Sequence, residues 1–121
     1  MISVSTTSLK EHHDAVNAVQ QLADSGILNI ELGADHNYPV DEKRIIQMKK
    51  EFGLSYTVHA FFPPTKEKFI VNIGTGDKEK LKISLDVIKN SLEFVNEAEA
   101  KLYSMHPGFS TSIDLKGNPL D

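Results

Sequence analysis

Residues 55–60 read Ser-Tyr-Thr-Val-His-Ala. Successive side chains of an extended strand point to opposite faces. Tyr56, Val58 and Ala60 therefore share one face, and Ser55, Thr57 and His59 the other. The same split recurs in three further segments. In residues 28–32, Leu28, Ile30 and Leu32 oppose Asn29 and Glu31. In residues 2–6, Ile2 and Val4 oppose Ser3 and Ser5. In residues 101–106, Tyr103 and Met105 oppose Ser104 and His106. A doubly wound sheet buries both faces under helices and favours continuous apolar runs. A barrel with a polar lining near its mouth accommodates the observed pattern. The reading is an α/β protein, a partial (β/α)8 TIM barrel of about four parallel strands and three helices.

Helical spacing fills the gaps between these strands. Ala15, Val19 and Leu22 recur at helical steps, with Gly26 placed to close the helix. Asp41 suits an N-cap, Ile45, Met48 and Phe52 share a face, and Gly53 suits the end. A long connection, residues 61–76, carries Pro63 and Pro64. Leu81, Leu85, Ile88, Leu92 and Val95 then recur at four- and three-residue steps and are expected to form the face buried on the sheet. Asp77 or Thr75 would cap this helix. Residues 107–121 show no apolar period and read as loop. A complete barrel of this type takes about 250 residues and eight strands. The 121 residues are thus expected to be one domain, residues 1–121, forming the truncated N-terminal half of a barrel.

Composition narrows the function classes. The chain has no cysteine, which excludes disulfides, thiolate ligands and cysteine nucleophiles. Its formal net charge is −4, and acidic residues interleave its lysines. A basic stripe of the kind that binds nucleic acid is not evident, so no nucleic-acid partner is expected. No apolar run reaches the roughly 18 residues of a membrane span, and no signal peptide is visible. No membrane association is expected, and the location is expected to be cytoplasmic.

Barrel enzymes place their chemistry at the C-terminal ends of the strands. His59 and His106 stand at such ends on the polar face of neighbouring strands, about 4.8 Å apart. Two imidazoles there can bind one metal ion with bonds of about 2.1 Å, and carboxylates from later strands would complete the shell. Glu31, on the polar face at the end of the second strand, is the candidate general base. Asp35 and His36 follow at the same mouth as candidate substrate-binding residues, and Phe61 and Phe62 offer aromatic faces to a substrate. His12, His13 and Asp14 have the look of a metal cluster but are expected to form the exposed first turn of the first helix, with Asp14 complementing its dipole. Gly74-Thr75-Gly76 lacks the Gly-Lys-Ser/Thr ending of a phosphate loop.

The segments Val58-His59-Ala60-Phe61-Phe62-Pro63-Pro64, Phe69-Ile70-Val71-Asn72-Ile73 and Leu102-Tyr103-Ser104-Met105-His106-Pro107-Gly108-Phe109 resemble the xylose-isomerase-like barrel superfamily. That group holds sugar phosphate isomerases and epimerases and the type-IV apurinic endonucleases. Ile30-Glu31-Leu32-Gly33 is similar to the second-strand motif of the isomerase branch. The resemblance implies zinc ligation by residues matching His59 and His106 in the endonuclease branch, and a sugar-lining role for them in the isomerase branch. Ala98-Glu99-Ala100 departs from the pattern, since relatives often carry glycine there. A left-handed Glu99 costs about 1 kcal/mol, so a different turn is expected.

The function expected is thus a fragment of a metal-dependent sugar or sugar phosphate isomerase/epimerase, with an endonuclease-like phosphodiesterase acting on abasic DNA, or a non-catalytic half-barrel remnant, as alternatives. The full-length protein would use a divalent metal (zinc, manganese or magnesium), bound weakly or not at all by this chain alone. The chain alone would be inactive, and its open sheet edges invite self-association.

Overall fold

The computed structural model describes residues 2–60, 62–109 and 116. Four strands, β1 (Val4–Ser5), β2 (Asn29–Leu32), β3 (Ser55–His59) and β4 (Tyr103–Ser104), form one parallel sheet in the order β1-β2-β3-β4. Three helices, α1 (Ala15–Asp24), α2 (Glu42–Phe52) and α3 (Lys78–Glu97), alternate with them. The register sets like faces side by side: Val4 pairs with Ile30 and Ile30 with Tyr56, while Ser5 pairs with Glu31 and Glu31 with Thr57. His59 pairs with Ser104. The apolar face meets the helices in a single core that joins Val19 and Leu22 of α1, Ile45 and Met48 of α2 and Phe94 of α3 to Ile30, Leu32, Tyr56 and Val58.

Each helix starts on an aspartate. Asp14 accepts from the Asn17 amide at 3.0 Å, Asp41 from Arg44 at 3.0 Å, and Asp77 from Glu79 and Lys80 at 2.9 and 3.1 Å. These bonds satisfy amides that the helix leaves without an internal partner. Gly53 closes α2 at φ +66°, where a Cβ is disfavoured. The Tyr56 hydroxyl donates to the Ile45 carbonyl at 2.8 Å, tying β3 to α2 inside the core.

The edge strands are shorter than the alternation implies. β1 covers two residues rather than residues 2–6, because Thr6 leaves the ladder and begins a 3-10 turn, Thr6–Ser8. β4 likewise covers two residues, not 101–106, so His106 lies just past the strand. α1 is capped by Ser25, with Gly26 following at φ +80°. His12 and His13 are not in its first turn: with Asp14 as N-cap, both belong to the loop before the helix.

The buried stripe of α3 also differs from expectation. Ser84, Val87, Ser91 and Phe94 are its buried residues, whereas Leu85 and Leu92 are 52% and 47% exposed. Two of the four buried positions are serines, and Ser84 Oγ accepts from the Asn72 amide of the loop after β3 at 3.0 Å. Glu99 does adopt a left-handed conformation, at φ +48°. Lys49 Nζ donates to the Ala98 and Glu99 carbonyls, both at 2.9 Å, and so holds the turn from α2. No helix of the described residues is long and apolar enough to cross a membrane.

Candidate functional site

The polar face of the sheet gathers Ser5, Glu31, Thr57, His59 and Ser104. Glu31 is half-buried between its neighbours Ser5 and Thr57. His59 is half-buried, and its Nδ1 shares a hydrogen bond of 2.9 Å with Ser104 Oγ, which leaves Nε2 as the nitrogen open to a ligand. The His106 ring is exposed and stands edge-on to His59, with centroids 5.4 Å apart. Two imidazoles on one tetrahedral ion, with bonds of about 2.1 Å, have centroids roughly 5.3 Å apart. The spacing of the pair suits a shared ion.

A cleft of about 660 Å³ opens between the loops that follow β2 and β3, with Asp35, His36, Tyr38, Lys66, Lys68 and Phe69 among its walls. Its size is within the range of small-molecule sites. Lys66 and Lys68 supply positive charge, and Lys68 Nζ lies 3.9 Å from an Asp35 oxygen. In the sequence these lysines read as part of an acid-interleaved, solvated run; their place on a cleft wall depends on how the loop folds.

His36 supports the cleft from behind. It is 6% exposed. Its Nδ1–H donates to the His12 carbonyl at 2.5 Å, so Nε2 accepts from the Thr6 hydroxyl at 2.7 Å, and Thr6 Oγ1 in turn accepts from the Gly33 amide at 3.0 Å. Burial holds its pKa below the usual histidine value. Both ring nitrogens are engaged by the protein, so His36 orders the loops rather than offering a nitrogen to a substrate. Gly33 is required at this point, since a Cβ would lie 2.7 Å from the Thr7 methyl and 2.8 Å from Ser5 Oγ.

Phe62 is fully buried, edge-on to Phe94 at 5.2 Å and to His36 at 5.8 Å. It anchors the loop after β3 in the core and presents no face to a substrate, against expectation. Phe61 lies outside the described residues, as do most of residues 110–121.

Asn72 is a second anchor that periodicity does not reveal. Its Oδ1 accepts from the Gly74 and Phe109 amides at 3.0 and 2.9 Å, and its Nδ2 donates to the Phe109 carbonyl at 3.1 Å. The loop after β3 is thereby tied to the segment that directly follows His106. Gly108, at φ +122°, permits this approach: a Cβ there would come within 2.5 Å of Asn72 Oδ1.

Among solved structures, that of SacUVDE matches 90% of this chain at a TM-score of 0.50 and 12% identity. The fold is of the TIM-barrel type. At that identity the likeness concerns fold alone. The uncharacterized protein MJ1614 of Methanocaldococcus jannaschii is 27% identical over 108 residues, 89% of this chain. The chain spans 41% of the length of that relative and 44% of the SacUVDE chain. No protein-family model matches the chain.

Proposed function

We propose that this chain supplies four strands of a divalent-metal-dependent barrel enzyme acting on a sugar or sugar phosphate, of the isomerase or epimerase kind seen in the xylose-isomerase-like superfamily. The observation that carries the reading is the His59–His106 pair, 5.4 Å apart between ring centroids on the polar face of the sheet. Strand-end residues in this position are where barrel enzymes build their sites. A divalent ion, when bound, polarises a carbonyl oxygen and lowers the barrier to proton removal beside it. Glu31, on the same lining, is the base that takes that proton. Lys66 and Lys68, on the wall of the cleft formed by the loops after β2 and β3, receive the phosphate. Further ligands come from strands beyond these four, so the chain alone holds the ion weakly and is inactive. The free edges of β1 and β4 take those strands or, in the isolated chain, a second copy.

A second reading has the same metal pair cleaving a phosphodiester of damaged DNA. It is favoured by the Lys66–Lys68 side of the cleft, and opposed by the net charge of −4, since affinity for DNA draws strongly on phosphate neutralisation.

Nuclear magnetic resonance separates the two. With Mn2+ present, the His59 and His106 ring signals should broaden, and ribose 5-phosphate should shift Glu31 and the cleft lysines. Shifts produced by a duplex bearing an abasic site, and not by the sugar phosphate, would transfer the assignment to the second reading. Unchanged spectra with both ligands would refute the two together.

A further inference from the structure

His12, His13 and Asp35 each offer one donor atom, and the three atoms lie within 4.8 Å of one another. They come from two loops at the mouth, the one before α1 and the one after β2, and take no part in the His59–His106 arrangement. Their backbone is fixed from both sides. The His36 ring donates to the carbonyl of His12, and the Asn37 amide donates to the carbonyl of His13 at 2.7 Å. Both carbonyls of the histidine pair are therefore held by the residues that directly follow Asp35.

The tautomer of His12 is also fixed. Its Nδ1 lies 2.8 Å from the Leu9 carbonyl, which can only accept, so Nδ1 carries the proton. Nε2 then points at Asp35 Oδ2, 3.2 Å away. A bare nitrogen lone pair facing a carboxylate is repulsive, and the position calls for a cation between or upon them. An imidazolium proton satisfies it, and so does a metal ion. Histidine ligands of metals characteristically donate their other ring nitrogen to a carbonyl or carboxylate, as His12 does to Leu9. Bonds of about 2.05 Å at an angle of roughly 103° separate two ligand atoms by 3.2 Å, a tetrahedral geometry. The His13 ring makes no hydrogen bond among the described residues, and its centroid is 4.8 Å from that of His12. It is available as the third ligand.

We propose that His12 Nε2, His13 and Asp35 form a site for a zinc-class divalent cation at the rim of the cleft, separate from the His59–His106 pair. Two imidazoles and a carboxylate suit zinc in preference to magnesium or calcium. Three protein ligands leave a fourth position to water or to an anionic group. The ion displaces Lys68 from Asp35, which lies on the cleft wall, and so adds a charge beside whatever the cleft binds.

The test is zinc uptake by equilibrium dialysis, with folding followed by circular dichroism and Co2+ absorption as a second readout. The folded His59→Ala/His106→Ala chain should still take up one zinc ion. His13→Ala and Asp35→Asn, both exposed positions, should each weaken that uptake by about tenfold or more and abolish the tetrahedral Co2+ spectrum. If the double variant does not fold, the same two substitutions in the otherwise unchanged chain should remove one equivalent of bound zinc. Uptake that is absent, or that neither His13→Ala nor Asp35→Asn alters, would overturn the site and leave His12–Asp35 as an ordinary ion pair.

Discussion

Replacing Asn72 with alanine removes three hydrogen bonds at once, two to the Phe109 amide and carbonyl and one to the Gly74 amide. A net contribution of about 1 kcal/mol per bond sets an upper bound near 3 kcal/mol. Phe109 is 37% exposed, so water re-solvates part of what is lost, and the expected destabilisation is about 1–2 kcal/mol. The local effect is larger than the global one. Phe109 and Gly108 follow His106 within three residues, and this clasp is what pins them to the loop after β3. Asn72→Asp keeps two acceptor bonds but replaces the third with a carboxylate oxygen facing the Phe109 carbonyl, so it loses that bond and adds a local repulsion. Urea denaturation gives the global term, and amide exchange at Gly74 and Phe109 gives the local one. The His59–His106 nuclear Overhauser contact reports whether the pair stays together. An Asn72→Ala chain that unfolds within about 0.5 kcal/mol of the parent, with Phe109 exchange unchanged, would refute the clasp.

Three further outcomes are expected. Phe94→Ala should cost about 3–5 kcal/mol as a core truncation, while Leu92→Ala should stay within about 0.5 kcal/mol; equal costs in denaturation would mean that the buried stripe of α3 is misassigned. Glu99→Gly relieves a left-handed non-glycine residue and should add about 1 kcal/mol, or roughly 4 °C in a thermal melt; a lower melting point would show that Lys49 draws more from the glutamate carboxylate than the strain costs. Tyr56→Phe should cost about 1 kcal/mol at neutral pH through the lost bond to Ile45. Burial raises the pKa of the Tyr56 hydroxyl above its ordinary 10.0, so the unfolded chain releases a proton first and stability falls as pH rises above 10.0. Urea midpoints from pH 8 to 11 should therefore decline less steeply in Tyr56→Phe, and an identical decline would contradict that assignment.

The parallel sheet, its strand order and all three helices were legible because period-two and helical patterns survive wherever a face is buried continuously. Asp41 and Gly53 marked helix ends through local chemistry that owes nothing to the rest of the fold. The α3 face was misread for a physical reason: a serine that pairs with a loop amide, as Ser84 does with Asn72, is buried without any apolar signal, while Leu85 and Leu92 lie on the exposed flank. The His59–His106 juxtaposition follows from strand adjacency, which the order 1-2-3-4 makes a local matter. The grouping of His12 and His13 with Asp35 was not legible in the same way, because it depends on how two loops fold over each other. One clue was present: an aspartate in the N-cap position places the residues before it outside the helix, hence at the mouth. Phe62 was assigned outward because no pattern in an irregular loop distinguishes an anchor from a ligand contact.

The pairing register also sets a timetable for assembly. Val4 pairs with Ile30 and Ile30 with Tyr56, 26 residues further along each time, whereas Val58 meets Tyr103 only after 45 residues. Closing the longer loop costs about 0.5 kcal/mol more in chain entropy, before counting the order that residues 61–76 must acquire. Loop length alone favours pairing of the first three strands before β4. On that order His59 would be in place before His106. The imidazole pair would then be completed by the longest closure in the sheet, and the proposed ion between them would latch that last pairing in place.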